Sequence, residues 1–258
     1  MWTSKIVDYS QINNTDLRCL ISGKNSMIIV REFYNKKECQ IVVENIKRCN
    51  NSTFQNGKLK HIGPFLMAHT TNKKTYFESA KKTQNIFKKI FCGINNPIYR
   101  IYHTVGQMLP EYSISLAHES QNYYSQAVIR IHEKGMSIPI HKDNVTYEGR
   151  EYALSNIDHQ ISCVLHLQES EDGGELIIHN RRWKRDDERL RNIDFGYSLE
   201  LAKDISTWRE SSINTGDLVI INPAYYHQVT RVTGDTPRIT LGMFLGLYEQ
   251  DYKIVAWA

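Results

Sequence analysis

Apolar residues change their spacing part-way along this chain, recurring at three and four in the amino-terminal part and coming in runs of four to eight after Gly135. SMIIVREFY at 26–34 is rich in β-branched residues and predicts a short strand. NKKECQIVVENIKRC at 35–49 follows with apolar residues at helical spacing behind Asn35, a residue suited to cap a helix. From about 72 to 92, NKKTYFESAKKTQNIFKKIFC sets Tyr76, Phe77, Ile86, Phe87, Ile90 and Phe91 on one side and lysines on the other, which predicts a second helix packed on something flat. Beyond Gly135, SIPIH, ISCVLHL, GELIIHN, DLVIIN, YYHQVT and RITLGMFLGLY are bounded by polar or glycine-containing turns, the spacing of short strands in a sandwich or barrel. The segment between GELIIHN and DLVIIN, centred on RRWKRDDERLRNIDFGYSLELAKD, is too long for a hairpin loop. Its basic residues are matched by acids, so it reads as a solvated excursion.

Composition narrows this picture. The 258 residues suffice for one large domain, and no low-complexity linker divides them. We expect a single domain over 1–258, with 1–110 mostly helical support and 120–258 the β core. A hydrophobic share of 41% and a charged share of 23% are ordinary for a soluble globular chain, and a net charge of +4 calls for no nucleic-acid partner. The amino-terminal MWTSKIVDYSQINN lacks an apolar signal region, and no stretch approaches the roughly 18 apolar residues of a membrane span. A cytoplasmic protein without a membrane partner is expected. Cys19, Cys39, Cys49, Cys92 and Cys163 are odd in number, scattered and without a C-x-x-C pair, which points to free thiols.

One apolar run is broken by chemistry. In IPIHKDN at 138–144, His141 and Asp143 would leave the same face of a strand while Lys142 points away. Such a pair is two metal ligands or an ion pair, and the tripeptide by itself does not decide. His227 lies in another strand candidate, NPAYYHQVTRV, and Arg238 opens the next, RITLGMFLG. Two imidazoles and one carboxylate on one face of an octahedral metal leave three positions open, the arrangement suited to non-haem Fe(II) oxygenases. Such enzymes often use 2-oxoglutarate, whose far carboxylate needs a bidentate cationic fork. Arg238 is the candidate, with Thr240 on the same strand face.

The segment His132-Glu-Lys-Gly135-x5-His141-x-Asp143 resembles the Tyr-x-x-Gly-x5-His-x-Asp signature of the prolyl-4-hydroxylase-like branch of Fe(II)/2-oxoglutarate oxygenases, with His132 in place of tyrosine. SEDGGELIIHN and NTGDLVIIN are similar to two further strands of that branch, and His227 and Arg238 to its distal histidine and 2-oxoglutarate arginine. AVIRIHEKGMSIPIH, GGELIIHNRRW and TGDLVIINPAYYHQVTRVTGDTPRITLGMFLGLYEQDYKIVAWA resemble the free-standing aliphatic halogenases of hapalindole and welwitindolinone biosynthesis. The likeness is strong over 127–258 and weak in the amino-terminal helix. Those halogenases carry glycine where this chain has Asp143, and chloride then occupies the metal.

The resemblance implies a mainly-β α+β fold, a double-stranded β-helix of the jelly-roll, cupin-like kind backed by amino-terminal helices. It implies Fe(II) on His141, Asp143 and His227, with 2-oxoglutarate and O2 as co-substrates and succinate and CO2 as products. Arg238, Thr240 and His132 fall at cofactor-binding positions, and Arg130, Asn144 and Ser162 beside them. With Asp143 in place, hydroxylation, desaturation or dealkylation of a free small molecule is expected rather than halogenation. The alternatives are a peptide side-chain hydroxylase and a non-catalytic metal-binding jelly roll. Substrate recognition is expected from 61–91, 144–160 and 181–210, where Tyr147, Tyr152, Trp183, Tyr197 and Trp208 are candidate lining aromatics.

Overall fold

In the computed structural model the described residues are 2–49, 54–56, 59–192, 196–210 and 212–258. The amino-terminal part runs β1 (Lys5–Asp8), α1 (Asn14–Ile21), β2 (Met27–Arg31), α2 (Lys36–Arg48), β3 (Phe54–Asn56), β4 (Leu59–Ile62), α3 (Lys73–Ile90) and α4 (Pro97–Met108). Three short strands, β5 (Ser113–Leu116), β6 (His118–Glu119) and β7 (Asn122–Tyr123), lead to β8 (Val128–His132) and β9 (Ile138–His141). There follow α5 (Val145–Glu148), β10 (His159–Gln168), β11 (Leu176–Arg182), β12 (Thr207–Glu210), β13 (Leu218–Ile221), β14 (Tyr225–Val229), β15 (Arg238–Tyr248) and β16 (Lys253–Trp257).

The strand expected at 26–34 is β2, and the helices expected at 35–49 and 72–92 are α2 and α3. Each α-helix starts behind an asparagine whose side-chain oxygen accepts a backbone N–H of the first turn: Asn13, Asn35, Asn72, Asn96 and Asn144. Pro97 at the start of α4 costs no hydrogen bond, because that N–H has no partner within the helix. Residues 1–110 are not purely helical. They also supply β1, β2, β3 and β4 to the larger sheet.

That sheet has the order β1-β2-β13-β10-β15-β8-β4-β3, with β16 joined to β15 and β5 to β16. A second sheet has the order β12-β11-β14-β9. The period of two in each strand assigns its faces. Ile161, Cys163 and Leu165 of β10, Ile239, Leu241 and Met243 of β15, and Ile129 and Ile131 of β8 face the helices, where they form one core with residues of α1, α2, α3 and α4. Met27, Ile29, Val219 and Ile221 point the other way and meet Leu176 and Ile178 of the smaller sheet. The two sheets therefore face each other as a jelly roll. Each fully buried Ile or Leu contributes about 1.5–3 kcal/mol relative to exposure, so the outer helices hold the large sheet rather than decorate it.

The long segment between β11 and β12 covers the outside of the smaller sheet. Its Tyr197 and Leu201 pack on Ile140 of β9 and Tyr226 of β14. The Tyr197 N–H donates to the Ile140 carbonyl at 2.9 Å, which satisfies the edge of β9. No helix among the described residues is long and apolar enough to cross a membrane.

Candidate active site

His141 closes β9 and pairs directly with His227 of β14, so both rings enter the space between the sheets 4.2 Å apart. Asp143 lies beyond the strand, where its N–H donates to the Pro223 carbonyl at 2.9 Å. Its approach to His141 comes from this turn and not from strand pleat alone. Oδ2 of Asp143 is 3.4 Å from Nε2 of His227 and 3.9 Å from Nε2 of His141. One ligand atom from each residue lies within 4.8 Å of the others. Two ligands bound to one ion at right angles stand about 3 Å apart, so a small closure completes the set.

Outer contacts orient both imidazoles. Nδ1 of His141 is 2.9 Å from the Pro139 carbonyl, and Nδ1 of His227 is 2.9 Å from the Tyr225 carbonyl. These contacts to main-chain carbonyls fix both rings with Nε2 turned toward Asp143. Burial, then the neighbouring His227, pushes His141 down to about 4. Burial alone would raise the Asp143 carboxyl, but its contact with His227 and the charges of His141 and Arg130 hold it down at about 2. At neutral pH the donor set comprises an ionised carboxylate and a neutral His141 imidazole, together with the inward-facing Nε2 of His227. It fits a divalent transition metal with one face left open.

Arg238 opens β15 on the inward face, opposite His132 of β8. It is 4% exposed, and its Nη1 is 3.4 Å from Nδ1 of His132. Nε of Arg238 and Nε2 of His132 are buried without a hydrogen-bond partner. Orphaned donors beside a guanidinium fit the distal carboxylate of a keto diacid. Burial, then the charges of Arg238, Arg130 and His166, keeps His132 well below its ordinary range, so the ring is neutral. Gly174, at φ +80°, makes room: a Cβ there would sit 2.9 Å from Cδ of Arg238. The Gly-Gly-Glu-Leu stretch owes its second glycine to this approach.

Arg130, Thr240 and Ser162 also point inward. Arg130 pairs with Thr240 in the sheet, and Gly242 leaves space for its guanidinium, since a Cβ there would meet Nη1 at 2.7 Å. Ser162 is 7% exposed and sits between Ile221 and Phe244. Asn144 follows Asp143 directly and starts α5. Its Oδ1 caps α5 through the Tyr147 N–H and accepts the Thr146 hydroxyl at 2.6 Å.

Three polar residues of this interior escaped the sequence. His61 of β4, Arg130, Thr240 and His166 of β10 form one row across four adjacent strands. His166 Nδ1 is 2.6 Å from Glu169, whose other oxygen is 3.8 Å from Nε of Arg238. The alternation in ISCVLHLQE puts His166 on the face of Ser162, which was the available signal. The three segments expected to recognise substrate meet around a cavity of about 350 Å3, with Met67 and Thr70 from the first, Tyr147 and Arg150 from the second, and Glu188 and Arg191 from the third. Of the five candidate aromatics, Tyr147 lines it and Trp183 lies against Tyr147, the tilted rings 4.6 Å apart. Tyr152, Tyr197 and Trp208 pack in apolar clusters instead.

Residues 6–258 match the family described as the carrier-protein-independent halogenase WelO5. The chain belongs to this family. A WelO5-family chain is also similar to the leucinostatins biosynthesis cluster protein S of Purpureocillium lilacinum, at 24% identity over 194 residues, 72% of this chain and 78% of that one. Among solved structures it resembles an N-substituted L-amino acid dioxygenase from Burkholderia ambifaria AMMD (TM-score 0.62, 13% identity, 95% of this chain and 91% of the other). It also resembles HygX from Streptomyces hygroscopicus, solved with nickel and 2-oxoglutarate (TM-score 0.51, 14% identity, 87% and 84%). By family and fold this WelO5-family protein is an Fe(II)/2-oxoglutarate oxygenase.

Proposed function

We propose that the protein, acting as a single domain over 1–258, hydroxylates or otherwise oxidises an unactivated C–H bond of a free small molecule. His141, Asp143 and His227 would hold Fe(II), and Arg238 with Thr240 and His132 the distal carboxylate of 2-oxoglutarate. Bound together, these groups supply the oxidising power, with O2 reduced and 2-oxoglutarate converted to succinate and CO2. The chain contributes imidazoles oriented by main-chain carbonyls, a carboxylate held below its ordinary range and a buried guanidinium.

The observation that carries the reaction type is Asp143. Its carboxylate lies against both imidazoles, so on a bound metal it would take the position that halide would need. The family description favours a second reading, halogenation. The two differ in product. Incubation with Fe(II), 2-oxoglutarate, O2 and chloride, over a panel of amino-acid-derived and other natural-product substrates, should give succinate and a hydroxylated or dehydrogenated product without chlorine. A chlorinated product from the unaltered chain would overturn the assignment. Names among the similar proteins, an amino-acid dioxygenase and a biosynthetic-cluster protein, support choosing that panel.

A further inference from the structure

Lys142 stands between two proposed metal ligands, yet its side chain, just past the end of β9, is fully buried beside α5 and the insertion. Its ammonium is 2.7 Å from Oε1 of Glu148, 4.7 Å from the Trp183 ring centroid and 5.1 Å from that of Tyr147. The same Glu148 oxygen binds Arg191 at 2.5 Å. Arg191 in turn holds Glu188 at 2.9 Å, and Glu188 accepts the Trp183 indole N–H at 2.7 Å. The Trp183 N–H donates to the Ala224 carbonyl, tying this socket to the loop before β14.

Burying an ammonium costs several kcal/mol, offset here by the nearby Glu148 carboxylate and the two rings, since Nζ makes no well-aligned hydrogen bond. A methionine would fill such a space at less cost. What a charged lysine adds is direction, since the ammonium has one seat between a carboxylate and two ring faces. We propose that Lys142 is a positioning residue, whose seat against Glu148, Trp183 and Tyr147 fixes the turn that aims the Asp143 carboxylate at the two imidazoles. The inference rests on the metal-centre reading of the triad. It adds that the insertion behind β9 sets the coordination in front of it. Tyr147, Glu148 and Arg191 also line the 350 Å3 cavity where the three expected recognition segments meet, so that cavity and the seat of Lys142 share residues.

The test is Co(II) titration of wild type, Lys142→Met and Glu148→Gln, following absorption spectrum, dissociation constant, azide binding and melting temperature. Both variants should bind Co(II) at least ten-fold more weakly, with an altered spectrum and tighter azide binding where Asp143 no longer holds its position. A Lys142→Met protein that melts lower but keeps the wild-type spectrum, affinity and azide response would reduce Lys142 to packing and overturn the proposal. If Lys142→Met does not fold, Glu148→Gln decides by the same criteria, since its lysine keeps both ring contacts. Wild type that fails to bind Co(II) would instead count against the metal centre itself.

Discussion

At the scale of single residues, the site depends on groups whose alternatives are chemically distinct. Asp143→Gly removes one ligand and opens its position, so the variant should lose hydroxylation at least ten-fold and take up chloride or azide at the metal, readable in the Co(II) spectrum. Arg238→Lys keeps the charge but loses the fork, and the dissociation constant for 2-oxoglutarate should rise ten-fold or more, about 1.5–3 kcal/mol for a charged hydrogen bond. Acid acts through the buried histidines. Burial lowers His61, His132, His141 and His179 in the folded protein, whereas the unfolded chain takes up protons near 6.5. The unfolded state then binds more protons, so the stability of the metal-free protein is fully present above 6.5 and declines as pH falls through that value toward about 4, where folded His141 also protonates. Melting temperatures of chelator-treated protein between pH 7.5 and 4.5 measure this, and a curve flat down to pH 5 would contradict it. His141, Asp143, His227 and Arg238 were readable in the sequence because their order and types form a pattern. His61, His166 and Glu169 were not, because their row depends on strand register, which spacing along the chain does not carry.

At the scale of elements, β2 and β13 are apolar on both faces and read as continuous runs, whereas β10 and β15 put apolar residues toward the helices and several polar ones into the barrel. The strands β5, β6, β7 and β12 are too short or too exposed to show such a pattern. Helix starts were legible at Asn35, and the same residue type caps the other four. Asn35→Ala should lower stability by about 1 kcal/mol in a denaturant titration, with metal binding unchanged. Tyr76 of α3 joins the helix layer to the barrel end, since its hydroxyl accepts the Ser125 N–H at 3.1 Å within a cluster with Phe77, Tyr124 and Tyr152. Tyr76→Phe leaves that N–H buried and unpaired and should cost about 1–3 kcal/mol by the same measurement. The insertion at 181–210 was expected to be solvated. Its Tyr197 and Leu201 instead pack on Ile140 and Tyr226, because the alternation that turns His141 inward turns Ile140 outward and leaves an apolar face to cover.

For the whole molecule, the larger sheet carries the proposed cofactor residues Arg130, His132, Ser162, Arg238 and Thr240, and the smaller sheet with the turn after β9 carries the triad. Helices lie outside one sheet and the insertion outside the other, so it is the facing of the two sheets that brings the triad and the proposed co-substrate residues together. The central claim is therefore that one folded unit binds Fe(II) and 2-oxoglutarate as a chelate. The most direct test is anaerobic titration of Fe(II) and 2-oxoglutarate into the purified protein, monitored by the weak visible metal-to-ligand charge-transfer absorption. Wild type should develop the band, Arg238→Ala should need far more 2-oxoglutarate to reach it, and His141→Ala should lack it. Absence of the band in folded, iron-loaded wild type would contradict the assignment.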